Sequence, residues 1–105
     1  MDARIIDDLY DLIQTRKGAD ADTSWTARLL AEAPGLPAKK LSEEAAECVI
    51  EAMRGDAPAL TREAADLVYH LLVVLVAADV DIKAVWAELE RRQGQSGLAE
   101  KASRQ

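Results

Sequence analysis

Between residues 43 and 70 the chain places seven acidic residues in a stretch that otherwise reads as buried helix, EEAAECVIEAMRGDAPALTREAADLVYH. Glu44 and Glu47 stand three apart, as do Glu63 and Asp66, with Glu43 and Glu51 beside the first pair. Carboxylates at this spacing share one helix face. Four of them brought together repel one another, and a hard divalent cation removes the repulsion; Mg²⁺ suits a few carboxylates together with water and substrate phosphates. Spacing alone leaves a second reading open, a solvated acidic face of the kind common on surface helices. Two features lean towards the metal. Few cations lie four residues away, Lys40 before Glu44 and Arg62 before Asp66 being the exceptions, and the second acidic row runs straight into an all-apolar segment.

The elements that must position these acids are two long helices. Placed at 100° per residue, Leu41, Ala45, Cys48, Val49 and Ala52 make one apolar stripe, with Glu44, Glu47 and Glu51 on the arc beside it and Glu43 at its edge. On the next helix Leu60, Ala64, Leu67, Leu71 and Val74 form the stripe, flanked by Glu63, Asp66 and His70. The hairpin between them turns near Asp56. Counted from that turn at about 1.5 Å per residue, the two acidic pairs differ in height by only ~3 Å, so an antiparallel pair brings four carboxylates across one groove.

The rest of the chain supports this pair. Ile5, Ile6, Leu9, Leu12 and Ile13 predict an amphipathic helix over residues 2–17 that ends at Gly18. Thr23 or Ser24 caps a short helix through Trp25, Leu29 and Leu30. Pro34-Gly35-Leu36-Pro37 reads as a turn-rich linker, followed by a helix over 38–54 that Gly55 stops. Asp56 caps the next, which tolerates Pro58 in its first turn and runs to about Ala78. After a break at residues 79–81, Ile82, Val85, Trp86 and Leu89 give a further helix ending near Gly94, and a short polar tail follows. The expected fold is a single all-α domain over 1–105, a bundle of about four to five helices. Leu67 to Ala78 is apolar almost all round, and three neighbours in so small a bundle leave part of it bare. A homodimer or higher homo-oligomer built on this central helix is therefore expected.

Composition narrows the function. With 13 basic against 19 acidic residues the net charge is −6, which excludes the basic footprint of a nucleic-acid binder. Cys48 is the only cysteine, no segment reaches membrane-spanning length, and Met1-Asp2-Ala3-Arg4 does not start a secretory leader, so a cytoplasmic protein without membrane contact is expected. A diiron centre needs Glu-x-x-His twice, and one histidine, four residues after Asp66, does not supply it. His70, Trp25 and Trp86 read as packing residues.

Glu-Glu-x-x-Glu at 43–47 followed by Glu-x-x-Asp at 63–66 resembles the all-α nucleoside triphosphate pyrophosphohydrolases, the MazG-like superfamily. SWTARLL at 24–30, KKLSEEAAECVIEA at 39–52, EAADLVYHLLVVL at 63–75 and SGLAEKASR at 96–104 look, together, like the phosphoribosyl-ATP pyrophosphatase family of histidine biosynthesis. The resemblance implies Mg²⁺-dependent hydrolysis of phosphoribosyl-ATP to phosphoribosyl-AMP and pyrophosphate, the second step of that pathway. It also implies that Glu44, Glu47, Glu63 and Asp66 hold the metal and that Glu43 supports or orients the attacking water. Lys40, Lys101 and Arg104 are the cations expected to meet the substrate's phosphates. The chain has Gln93 where similar sequences frequently carry His, and it lacks the Cys and His of a fused zinc cyclohydrolase, so the stand-alone form is expected. The competing readings are a housecleaning nucleoside triphosphate pyrophosphohydrolase using the same acids and a non-catalytic helical interaction module.

Overall fold

The computed structural model describes residues 4–93, 97, 101, 102 and 104. Five helices follow one another, α1 (Arg4–Thr15), α2 (Trp25–Ala31), α3 (Gly35–Arg54), α4 (Ala57–Ala77) and α5 (Ile82–Arg92), and there is no strand among the described residues. The protein is all-α. None of its described helices is long and apolar enough to cross a membrane.

Most boundaries follow from capping chemistry. Ser24 accepts a hydrogen bond from the Ala27 amide at 3.1 Å and starts α2. Asp56 accepts one from the Ala59 amide at 3.0 Å and starts α4, and Asp81 accepts one from the Lys83 amide at 2.9 Å and starts α5. Gly55 closes α3 at φ 74°, and its N–H reaches back to the Glu51 and Ala52 carbonyls. The linker expected at 34–37 is helix instead. Pro34 is the N-cap of α3, and Pro37 sits buried in its first turn, where an amide N–H would have no helical partner to lose. The true connection from α2 is therefore only Glu32 to Pro34. At the other end α5 stops at Arg92, two residues before the expected Gly94.

The core gathers around the second half of α4. Leu72, Val73 and Val76 are enclosed by Tyr10 and Ile13 of α1, Leu29 of α2 and Ile82 of α5, with Ile6, Leu9, Tyr69, Leu75, Val85 and Trp86 packed against them. The buried face of α1 is thus Ile6, Leu9, Tyr10 and Ile13, while Ile5 and Leu12 face solvent. A tyrosine can occupy the core because its hydroxyl finds a partner: Tyr10 Oη donates to the Val80 carbonyl at 2.7 Å, tying α1 to the α4–α5 connection. Burying each such Leu or Val contributes about 1.5–3 kcal/mol relative to exposure.

The α3–α4 hairpin is only half covered by this packing. In 20 residues α3 buries Pro37 alone. Val49, Ile50 and Met53, at 62%, 52% and 84% exposure, form an apolar stripe along it, and Val68 and Leu71 do the same on α4. The stripes picked out on the helical wheel, Val49 and Leu71 among them, are consequently not the core of the chain; the core lies on the other side of α4, at His70, Leu72, Val73 and Val76.

Candidate active site

Both long helices are needed to assemble the acidic cluster. Spacing by three residues puts Glu44 and Glu47 on one face of α3 and Glu63 and Asp66 on one face of α4, and the tight Gly55-Asp56 turn lays the helices antiparallel. Glu44, Glu63 and Asp66 each bring a carboxylate oxygen to within 4.8 Å of the others. Glu47 is exposed and reaches the same place by a hydrogen bond to Glu63. Glu43 points to a different partner: Lys40 Nζ lies 3.4 Å from its Oε1.

The electrostatics are those of an acid cluster short of cations. Glu63 is pushed up to about 7 by its hydrogen bond with Glu47, by burial, and by the charges of Glu47, Glu44 and Asp66. That bond exists only while one of the two carboxyls carries a proton. When all are ionised, Glu63 Oε2 and Glu44 Oε2 are buried oxygens with no donor. Burial, followed by the charges of Glu63, Glu44, Asp66 and Glu47, also raises the thiol of Cys48 above the ordinary range. Cys48 therefore adjoins the cluster, which its reading as one more apolar helix position did not anticipate; its place one residue after Glu47 was the available signal.

Three or four hard oxygen donors, two of them buried and without a hydrogen-bond donor, fit a hard divalent cation and suit neither zinc nor a soft metal. His70 is no ligand. It is 7% exposed, its Nδ1 bonds the Asp66 carbonyl oxygen at 2.8 Å, and its ring meets Tyr69 edge-on at 4.9 Å. Held this way, His70 braces the turn of α4 that carries Asp66.

The remaining expectations divide. Trp86 packs against the core and donates Nε1–H to Asp7 at 2.8 Å. Trp25 does not pack as expected: it is 48% exposed, with Lys40 Nζ 5.9 Å from its ring centroid. It is the first residue of α2, where the helix begins after the Ser24 cap. Lys101 and Arg104 are exposed, and Ser96 lies outside the described residues. Among the described residues a cavity of about 380 Å³ opens away from the cluster, between α1 and the α4–α5 connection, lined by Asp7, Tyr10, Asp11, Asp79 and Asp81. Several of its polar groups are engaged locally: Tyr10 with Val80, Asp79 with Lys17, and Asp81 with the start of α5. The cluster, not this cavity, carries the unsatisfied oxygens.

Comparison with known proteins decides the family. The sequence profile of phosphoribosyl-ATP pyrophosphohydrolase matches residues 6–93. The chain belongs to this family. Proteins named phosphoribosyl-ATP pyrophosphatase are similar over nearly their whole length. That of Cereibacter sphaeroides is 56% identical over 100 residues, 95% of this chain and 97% of its own. That of Dinoroseobacter shibae is 61% identical over 92 residues, 88% and 90% of the two chains, and that of Roseobacter denitrificans 58% over 99 residues, 94% of each. The family match spans both halves of the acidic cluster, the whole of α2 to α5 and α1 from Ile6 onward.

Proposed function

We propose that the chain, acting as one hydrolase domain, cleaves phosphoribosyl-ATP to phosphoribosyl-AMP and pyrophosphate with Mg²⁺ at the cluster. The observation that carries this reading is the meeting of Glu44, Glu63 and Asp66 within 4.8 Å, two of them with orphaned buried oxygens, in a chain of this family. In the proposal Glu44, Glu47, Glu63 and Asp66 would hold Mg²⁺, which would supply charge neutralisation and Lewis acidity for the triphosphate.

The chain's own groups do the rest. Glu47 and Glu63 hold a proton between their carboxyls, and both would have to be ionised to serve as ligands. Glu43, next to the cluster but outside it, orients a water on the substrate's phosphorus and accepts its proton. Lys40, paired with Glu43 one turn before Glu44, and Lys101 and Arg104 of the tail offset phosphate charge as it develops. The exposed stripe Val49, Ile50, Met53 on α3 and the exposed Val68 and Leu71 on α4 support assembly of a homodimer or larger homo-oligomer through a second copy of the same hairpin. The setting is the cytoplasm, where a biosynthetic nucleotide intermediate is made and consumed.

Product analysis tests the assignment. Incubation with phosphoribosyl-ATP, ATP and dCTP, followed by chromatography, is expected to give phosphoribosyl-AMP and pyrophosphate in equal amounts from the first and little from the others. Preferential cleavage of ATP or dCTP would instead assign a housecleaning pyrophosphohydrolase.

A further inference from the structure

The chain has four aromatic side chains, two Trp and two Tyr, and no Phe. Three are engaged. Tyr10 is 5% exposed with its hydroxyl on Val80, Trp86 packs on the core and bonds Asp7, and the Tyr69 hydroxyl bonds Thr26. Trp25 alone presents a large part of its ring to solvent, at 48% exposure. An indole left open in this way costs the hydrophobic stabilisation that its burial would give.

Its position is fixed from two sides. The bond between the Thr26 and Tyr69 hydroxyls pins the first turn of α2 to α4, one helical turn beyond Asp66. From α3, Lys40 Nζ stands 5.9 Å from the Trp25 ring, at the long limit of a cation–π contact, and 3.4 Å from Glu43. Lys40 in turn lies four residues, about 6 Å of helix rise, before Glu44. The order along the surface is therefore aromatic ring, cation, carboxylate cluster. A nucleoside triphosphate presents its groups in the matching order, base, sugar, phosphates.

From this placement we infer that Trp25 is the platform on which the purine base of the substrate stacks, with Lys40 passing from the ring to the first phosphate. The inference rests on the hydrolase reading of the cluster for the direction in which the nucleotide lies. Stacking on an indole is tolerant of base identity and is lost when the ring is removed. Tyrosine offers a smaller face of the same kind, so Trp25→Tyr retains most of the binding.

The test uses tryptophan emission and steady-state kinetics on the full chain. AMP is the probe, and ribose 5-phosphate, which lacks the base, is the control. A saturable emission change with AMP is expected in the natural protein and in Trp86→Phe, with none in Trp25→Phe and none with ribose 5-phosphate. For phosphoribosyl-ATP, Trp25→Ala is expected to raise KM roughly 10- to 100-fold with little change in kcat, and Trp25→Tyr to recover most of the loss. An AMP response that survives in Trp25→Phe, a response that follows protein concentration instead of AMP, or an unchanged KM in a folded Trp25→Ala would overturn the inference. If the natural protein binds AMP through Trp25 but leaves phosphoribosyl-ATP intact, the platform stands and the hydrolase reading fails.

Discussion

Titrating the metal-free protein with Mg²⁺ near pH 6 and again near pH 8 perturbs the one proton that the cluster holds. Glu63 is pushed up to about 7 by the Glu47 hydrogen bond, burial and the surrounding charges, from an ordinary value of 4.5. Its carboxyl is then roughly nine-tenths protonated near pH 6 and roughly one-tenth near pH 8. Because a cation takes the ionised form, binding displaces about 0.9 proton per site at the lower pH and about 0.1 at the higher. Apparent Mg²⁺ affinity accordingly falls about tenfold from pH 8 to pH 6. The same shift sets the stability of the metal-free protein. Between 4.5 and about 7 the folded state keeps a proton that the unfolded chain has lost, so stability declines as pH rises through that window and then levels off. Calorimetric titrations in two buffers of different ionisation enthalpy count the released protons, and thermal melts with and without Mg²⁺ follow the stability. Binding near pH 6 with no proton release, or the same release from Glu63→Gln as from the natural protein, would refute the reasoning.

Three further substitutions probe separate parts of the molecule. Glu47→Gln removes a charged oxygen donor from an exposed position, so hydrolysis falls by roughly 100-fold or more while the metal-free melting temperature holds or rises, as paired turnover and melting measurements would register. Leu29→Ala opens a hole at a fully buried site between α2 and α4 and costs about 2–5 kcal/mol in urea denaturation. Met53→Lys places a charge on the α3 stripe; sedimentation should show the oligomer dissociating, whereas a stripe that faces only water would change neither mass nor stability by more than about 0.5 kcal/mol.

Wherever local chemistry decides, the sequence was readable. Asp56 and Gly55 mark the hairpin because one accepts a free amide at a helix start and the other adopts φ 74° at a helix end without strain. Once that turn is placed, helical spacing brings Glu44 to Glu63 and Asp66 without further assumption. The proline pair misled because Pro is read as a breaker, yet in a first turn it breaks nothing, and α3 gained three residues. Choosing which apolar stripe becomes core needed tertiary knowledge. On α4 almost every position from Leu67 onward is apolar, so periodicity could not tell the face that meets α1, α2 and α5 from the face that carries Val68 and Leu71. Trp25 escaped for a related reason: a tryptophan beside Leu29 and Leu30 looks like core, and only the position of α2 against Lys40 and Tyr69 leaves it open.

The most direct test of the central claim is pyrophosphate release from phosphoribosyl-ATP by the purified protein, first stripped of metal and then with Mg²⁺ restored. The account predicts no appreciable release from the stripped protein, full release on addition of Mg²⁺, and no such recovery in Glu63→Gln. Release that persists without metal, or that Glu63→Gln recovers in full, would contradict it and return the acids of α3 and α4 to a solvated surface.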